Sequence, residues 1–352
     1  FIADHAPKSE AVKRANCWAV SDPVFSRALG EAGYIGMIWP KRYGGHERHP
    51  LERYVVLEEM LAAGAPVGMH WIADRQSGPL LLRYGTEEQR TRFLPAVARG
   101  ELYACIGMSE PGAGSDLASV RTRGVRTNEG WRVSGQKLWT TNAHNAHVMI
   151  ALVRTQEGSE RQAGLTQFLI DLASPGVTVR PIIDLAGGHD FNEVFLDEVL
   201  VPDAMRVGEV GAGWKQVTAE LSLERSGPER YLSSYALLVE LVRAAGPKPE
   251  PVLAGLIGRA TAELWTLRQM SMSTAAKLAA GEDPALEAAM TKDLGNAFEQ
   301  ALPRAVQAEV DADGGDLARV LSLLLQVSPS FSLRGGTREI LRGIIARGLG
   351  LR

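Results

Sequence analysis

Cysteine is scarce in this sequence. Only Cys17 and Cys105 occur among 352 residues, and they stand far apart in the chain. Disulfide frameworks and structural zinc sites draw on more cysteines at closer spacing. We therefore expect no disulfide and no metal site, and we expect both thiols to be small, buried, reduced side chains.

Three further absences restrict the class of protein to which the chain can belong. The longest apolar runs, such as residues 320–327, fall far short of the roughly 20 residues that a membrane-spanning helix needs. Basic residues are not in excess, because 38 Lys and Arg stand against 41 Asp and Glu, so no global positive field would attract nucleic acid. The first residues do not form a basic-then-apolar leader. The sequence predicts a cytoplasmic protein with no membrane span and no nucleic-acid partner.

Length and hydrophobic periodicity indicate three parts. A chain of 352 residues with 45% hydrophobic content can fill more than one core. Apolar residues recur at intervals of three and four over residues 1–102, at intervals of two over 103–210, and again at three and four over 211–352. We predict the α+β class, with an N-terminal α-helical domain, a middle β-barrel or β-sandwich domain and a C-terminal helical bundle within those boundaries.

Local signals place several element ends. Asp22 before Pro23 is typical of a helix N-cap followed by proline at the first helical position. Thr86 and Gln89 have the spacing of a capping box. The segment 128–130, Asn-Glu-Gly, predicts a hairpin turn between two strands.

The densest chemical signal runs from Tyr103 to Asn142. A short predicted strand leads into SEPGAGSD (residues 109–116), where proline and glycines free backbone N–H groups to face a ligand. After a predicted hairpin the chain reaches Trp139-Thr140-Thr141. An indole face with hydroxyls beside it would suit a flat, hydrogen-bonding heteroaromatic ring. Taken alone, the glycine-rich segment is more typical of a surface loop, and Leu117 stands where a dinucleotide-binding fingerprint needs its third glycine.

The order and spacing of these two segments resemble the acyl-CoA dehydrogenase family, and the resemblance extends over roughly residues 22–352. It implies a helical domain, a β domain and a four-helix bundle, with FAD as cofactor. It also implies α,β-desaturation of an acyl-CoA thioester, with an electron-transferring flavoprotein as electron acceptor. The positions that the resemblance assigns to FAD are Met108, Ser109, Gly114, Ser115, Trp139, Thr140, Thr141, Gly336 and Thr337.

The catalytic base departs from the usual family pattern. That base is a Glu just before a Gly-Thr pair near the C terminus, and Gly335 stands in its place here. A minority of related enzymes carry the base on the first bundle helix directly before an arginine, which matches Glu224-Arg225. Glu224 is therefore our candidate base, and Ser115, Arg225 and Gly335 are the candidate substrate contacts. The alternative for Glu224 is an ordinary surface Glu-Arg pair on a helix.

Two family elements that contact FAD of a neighbouring subunit are missing, since residues 243–252 and 308–316 match neither. This leaves two other functions open: a non-catalytic partner subunit of a heteromeric acyl-CoA dehydrogenase, or a flavin oxidase or monooxygenase on the same scaffold. An apolar stripe over residues 340–345 needs a covering surface. We expect a homo-oligomer, either a dimer or a tetramer, with a heteromer as the alternative.

Overall fold

The computed structural model describes residues 1–223, 227–311 and 313–351, with the backbone alone described over 220–223. Contacts divide the chain into two compact units. The bundle unit comprises residues 1–20, 48–66 and 222–352, and the sheet unit comprises residues 21–47 and 67–221. The domain boundaries predicted at 102 and 210 stay predictions.

Helices occupy both ends of the described chain, as the apolar spacing predicts. The N-terminal helices are α1 (Ile2–His5), α2 (Ala11–Ala15), α3 (Pro23–Glu31), α4 (Pro50–Ala63), α5 (Gly78–Tyr84) and α6 (Glu87–Ala98). The C-terminal helices are α7 (Gly213–Leu223), α8 (Tyr235–Ala245), α9 (Pro251–Ala279), α10 (Ala285–Glu309), α11 (Gly315–Val327) and α12 (Arg338–Gly348). In the described ranges no helix combines the length and the apolar composition that crossing a membrane requires.

The predicted caps are confirmed. The side chain of Asp22 accepts hydrogen bonds from the backbone N–H groups of Val24 and Phe25, with Pro23 at the first helical position of α3. Thr86 and Gln89 form the reciprocal capping box that begins α6. A π-helical turn at Ala73–Ser77 precedes α5, and no sequence signal predicted it.

The middle of the chain forms a mixed β-sheet. Its strands are β1 (Ala104–Gly107), β2 (Arg123–Thr127), β3 (Gly130–Lys137), β4 (Val148–Arg154), β5 (Leu165–Asp171), β6 (Val177–Ile182), β7 (Phe191–Val201) and β8 (Arg206–Val207). The strand order is β6-β7-β3-β2-β4-β5-β8, and β1 pairs with β4 in parallel. The predicted hairpin is confirmed, because Thr127 pairs with Gly130 between β2 and β3. The expected order of helices, strands and helices is therefore confirmed.

Both cysteines are buried, as expected. Burial raises the pKa of the Cys17 thiol to about 12. It also raises the pKa of the Cys105 thiol. Neither thiol therefore ionises near neutral pH, which suits a packing role.

A buried polar network explains why the N-terminal helix α4 belongs to the bundle unit. Arg268 on α9 donates two hydrogen bonds to Glu58 on α4, at 2.8 and 2.9 Å. The hydroxyl of Tyr231 donates to the same carboxylate at 3.0 Å and lies 2.8 Å from the hydroxyl of Tyr54. Paired, bidentate contacts of this kind hold two distant segments of the chain in one geometry.

Candidate functional site

The loop after β1 (residues 108–116, here the glycine loop) lies against the segment after β3 (residues 138–142, here the indole loop). The carbonyl oxygen of Ser109 accepts a hydrogen bond from the N–H of Leu138 at 2.9 Å. Within the glycine loop, Glu110 and Ala113 exchange two backbone hydrogen bonds of 3.0 Å each, which closes a tight turn. The structure therefore brings together the two segments that carry most of the residues predicted to bind FAD.

A buried ion pair supports the glycine loop from inside. Lys137, at the end of β3, is fully buried, and its ammonium group donates to Glu110 Oε1 at 2.7 Å. It also donates to the carbonyl oxygens of Leu152 at 2.6 Å and Met108 at 3.3 Å. Because every acceptor around the ammonium is a fixed protein oxygen, the charge is compensated where water is excluded.

Both members of this pair are ionised at neutral pH. Burial raises the pKa of Glu110, but the charge of Lys137 and hydrogen bonds from Lys137, Thr122 and Arg121 outweigh it, so that the pKa lies below its ordinary value. Burial lowers the pKa of Lys137 to about 8, and Glu110 opposes that shift. The backbone N–H groups of Arg121 and Thr122 also bind the Glu110 carboxylate, at 2.6 and 3.0 Å. Lys137 and Glu110 were not among the site residues predicted from the sequence.

Trp139 projects from the indole loop into solvent. Its side chain is 55% exposed, and its ring packs edge-on against Phe191 with centroids 5.8 Å apart. Its φ of 58° lies in the left-handed region, which is unfavourable for a bulky side chain. Strained backbone of this kind persists where the surrounding structure enforces it, and it is frequent at binding sites.

The rest of the indole loop is held rigidly. Thr140 exchanges two backbone hydrogen bonds with Asn192, at 3.0 and 3.1 Å, and its side chain is fully buried. Its Oγ1 has no hydrogen-bond partner within the described part of the chain. Thr141 is partly exposed, and the side chain of Asn142 donates to the carbonyl of Gly68 at 3.1 Å. Leu138, Trp139 and Thr141 are thus the members of this loop that offer surface to a ligand.

The outer part of the glycine loop is open. A Cβ atom built on Gly112 or Gly114 would meet nothing within 4 Å, and Ser115 is exposed. At the end of the loop, Asp116 lies 3.3 Å from the guanidinium of Arg161. These residues leave room for a ligand beside the backbone.

Arg154, another residue that the sequence analysis missed, stabilises this edge of the sheet unit. Its guanidinium donates to the carbonyl oxygens of Ala118 and Val120, which follow the glycine loop, at 2.9 and 3.2 Å. It also makes four hydrogen bonds of 2.9–3.2 Å to the loop between β4 and β5, on Ser159, Arg161 and Ala163. The sequence signal that could have identified Arg154 is its position as a charged residue at the end of an otherwise apolar strand.

An apolar cluster fastens α7 to the glycine loop. Its buried members are Ala113, Val120, Leu152, Leu165 and Val217, and Met108, Leu117 and Trp214 pack against them. Since Trp214 and Val217 lie on α7, the beginning of this helix is fixed relative to the predicted cofactor residues. The candidate base Glu224 and its neighbour Arg225 follow the end of α7 and lie outside the described residues.

The remaining predicted site residues lie before α12 in the bundle unit. Gly335 and Gly336 have φ values of 61° and 102°, which favour glycine. The fully buried Lys292 donates to the carbonyl of Gly336 at 2.8 Å. Thr337 caps α12. The preceding Arg334 donates to the Ser233 hydroxyl at 2.9 Å and lies 3.4 Å from the buried carboxylate of Glu299.

The residues of the sheet unit fit a flavin. The indole of Trp139 is exposed, the space beside Gly112 and Gly114 is open, and Ser109 and Thr141 offer hydroxyl groups at the partly exposed junction of the two loops. A ring with polar edges and an apolar face matches this set of groups.

Comparison with known proteins places the chain in a family. The model for the acyl-CoA dehydrogenase N-terminal domain matches residues 1–101, and the model for the acyl-CoA dehydrogenase middle domain matches residues 105–199.

Two curated relatives and one solved structure extend the match over nearly the whole chain. Acyl-CoA dehydrogenase FadE34 of Mycobacterium tuberculosis is 36% identical over 92% of this chain, which spans only 45% of that protein. Acyl-CoA dehydrogenase IpdE1 of Mycolicibacterium smegmatis is 34% identical over 97% of this chain and 89% of its own length. A chain of the ChsE4-ChsE5 complex from Mycobacterium tuberculosis superimposes with a TM-score of 0.83 at 29% identity, covering 94% of this chain and 90% of that chain. The chain therefore belongs to the acyl-CoA dehydrogenase family.

Proposed function

We propose that the chain is an FAD-dependent acyl-CoA dehydrogenase that introduces an α,β double bond into an acyl-CoA thioester. The observation that carries the proposal is the contact between the glycine loop and the indole loop, which leaves Trp139 exposed in a strained conformation beside Ser109. Bound FAD would supply an acceptor for the hydride that leaves the β-carbon. The residues proposed to hold it are Met108, Ser109, Gly114, Ser115, Trp139, Thr140, Thr141, Gly336 and Thr337.

The side chains and backbone of the protein must make the α-carbon acidic enough to lose its proton. A carbon acid beside a thioester is weak, so donors must stabilise the negative charge that develops on the carbonyl oxygen. We assign this role to the backbone N–H of Gly335, and we assign Ser115 and Arg225 to substrate binding. Glu224, directly before Arg225 in the sequence, is the proposed base, because a carboxylate can accept the α-proton.

Electron transfer and assembly complete the proposal. Electrons leave for an electron-transferring flavoprotein, and the chain works as a homo-oligomer, a dimer or a tetramer. The alternative is a non-catalytic partner subunit in a heteromer. Gly335 at the usual position of the base favours that alternative, and so does the likeness to a chain of the ChsE4-ChsE5 complex. An oxidase or monooxygenase on the same scaffold would react with O₂ instead.

A single preparation of the purified chain tests these three hypotheses. The purified chain is titrated with FAD, its absorption spectrum and oligomeric size are recorded, and acyl-CoA is added with either an artificial electron acceptor or O₂. Flavin binding and an enoyl-CoA product without O₂ consumption support the dehydrogenase. Rapid O₂ consumption supports the oxidase.

A colourless chain that cannot be loaded with FAD excludes both enzymes. The hypothesis of a non-catalytic partner subunit then predicts that co-expression with a related family member restores FAD binding in a complex of the two chains. A homo-oligomer with one FAD per chain excludes the heteromer.

A further inference from the structure

The buried ammonium of Lys137 sets the direction of one peptide group in the glycine loop. It binds the carbonyl oxygen of Met108 from the buried side at 3.3 Å. In a trans peptide the carbonyl of one residue and the N–H of the next point in opposite directions. The N–H of Ser109 therefore points away from Lys137, toward the partly exposed side of the loop.

This N–H makes no hydrogen bond to any residue that the structure describes, although its own carbonyl is bonded to Leu138. Ser109 is partly exposed, so water or a ligand can reach it. A free backbone donor next to an exposed indole is a suitable contact for an acceptor atom on the edge of a flat ring.

Several contacts keep Lys137 in this position. Glu110 binds the ammonium at 2.7 Å and is itself held by the N–H groups of Arg121 and Thr122. Gly107 leaves room for the side chain, because a Cβ there would lie 3.1 Å from Cγ of Lys137 and 2.5 Å from Sδ of Met149. The ammonium is therefore held in the interior, with its acceptors on the glycine loop and on β4.

We infer that Lys137, held by Glu110, is a positioning residue that directs the N–H of Ser109 toward an acceptor atom on the edge of the flavin ring. This inference rests on the proposed function. It assigns Lys137 no contact with substrate or cofactor. It predicts that removing the ammonium weakens FAD binding and lowers the reduction potential, because reduced flavin is richer in electrons and accepts hydrogen bonds more strongly.

The test is the double variant Lys137→Met/Glu110→Gln. It removes both charges together, so no buried charge is left unpaired, and the amide oxygen introduced at position 110 can still accept from the N–H of Thr122. The matched control is Gln89→Met, which removes a buried side chain of the same unit that donates to the carbonyls of Ala204 and Arg206. Ser109→Ala tests the hydroxyl separately, since it keeps the backbone N–H.

We expect the double variant to raise the FAD dissociation constant about fivefold, which corresponds to the loss of one hydrogen bond. We also expect it to shift the flavin midpoint potential to more negative values. Gln89→Met should lower thermal stability and leave both quantities at parental values. A double variant that matches Gln89→Met in FAD affinity and potential overturns the inference while the proposed function stands. A parent chain that binds no FAD overturns both.

Amide hydrogen exchange on the unmodified protein provides a test that does not depend on a variant folding. Exchange at Ser109 should be fast in the FAD-free protein and slow at least about tenfold when FAD saturates it, because the N–H then has an acceptor. An unchanged exchange rate at Ser109 in the FAD-loaded protein would rule out the proposed hydrogen bond.

Discussion

The ammonium group of Lys292 lies 2.8 Å from the carbonyl oxygen of Gly336. Lys292 is fully buried on α10, so one helix of the bundle unit supports the glycine segment that precedes α12. By the same peptide geometry as at Lys137, the N–H of Thr337 points away from this lysine. In each unit, a buried lysine thus holds the backbone of a segment predicted to bind FAD.

Replacing Lys292 tests whether this contact stabilises the bundle unit. Lys292→Met removes the donor and should lower the free energy of unfolding by about 1–2 kcal/mol. The control is Lys277→Met, which removes a partly exposed lysine paired with Glu287 and should change stability little. Chemical denaturation measures both variants. Equal stability of the two would show that the contact with Gly336 contributes nothing measurable.

The backbone at Gly335 leads to a second stability prediction. Its φ of 61° is unfavourable for an L-residue, so Gly335→Ala should destabilise the protein by about 1 kcal/mol. Gly258 lies inside α9, and a Cβ there would meet nothing within 4 Å. Gly258→Ala should therefore stabilise the protein by about 0.5–1 kcal/mol. The two substitutions are chemically identical, and denaturation midpoints that move in the same direction would contradict the conformational argument.

The indole of Trp139 should favour FAD binding, whereas the left-handed backbone of this residue should lower the stability of the fold. Trp139→Ala and Trp139→Gly both remove the indole, so FAD affinity should fall at least about fivefold in each. Glycine relieves the strain at φ 58°, whereas alanine keeps it. The FAD-free glycine variant should therefore be more stable than the alanine variant by about 1 kcal/mol. Parental FAD affinity in either variant would place the flavin elsewhere.

His70 should make the sheet unit sensitive to acid. It is buried beside Ser26, with Nδ1 2.8 Å from the serine oxygen, and burial lowers its pKa to about 4, although Asp74 opposes the shift. In the unfolded chain the imidazole takes up a proton below about pH 6.5. The unfolded state therefore binds more protons between pH 6.5 and 4, and the free energy of unfolding falls by about 3 kcal/mol across that window.

Denaturation at several pH values measures this effect. His70→Gln should have lower stability at neutral pH and a flatter pH dependence between pH 6.5 and 4. His5→Gln is the control, because it removes an exposed imidazole. If the free energy of unfolding of His70→Gln varies with pH as steeply as that of the parent, other groups cause the acid sensitivity.

The helix caps and the hairpin could be read from the sequence because each depends on residues within four positions, as at Asp22 and Thr86. The contact between the glycine and indole loops was also predictable, since a known family motif carries both. The Lys137–Glu110 ion pair could not be predicted, because it joins residues 27 positions apart. It forms only in the strand register of β3 that turns the side chain of Lys137 inward. The left-handed backbone of Trp139 had no sequence signal, since no glycine or asparagine marks it.

The proposed reaction removes an α-proton from an acyl-CoA and transfers the hydride to FAD. It is tested by mixing the FAD-loaded chain anaerobically with acyl-CoA and following the flavin absorbance, in the parent and in Glu224→Gln. We predict that the parent bleaches its flavin and forms one enoyl-CoA per reduced flavin. We also predict that Glu224→Gln keeps its FAD but reduces it at least about 100-fold more slowly. A parent whose flavin stays oxidised, or a Glu224→Gln variant that reduces at the parental rate, would contradict the proposal.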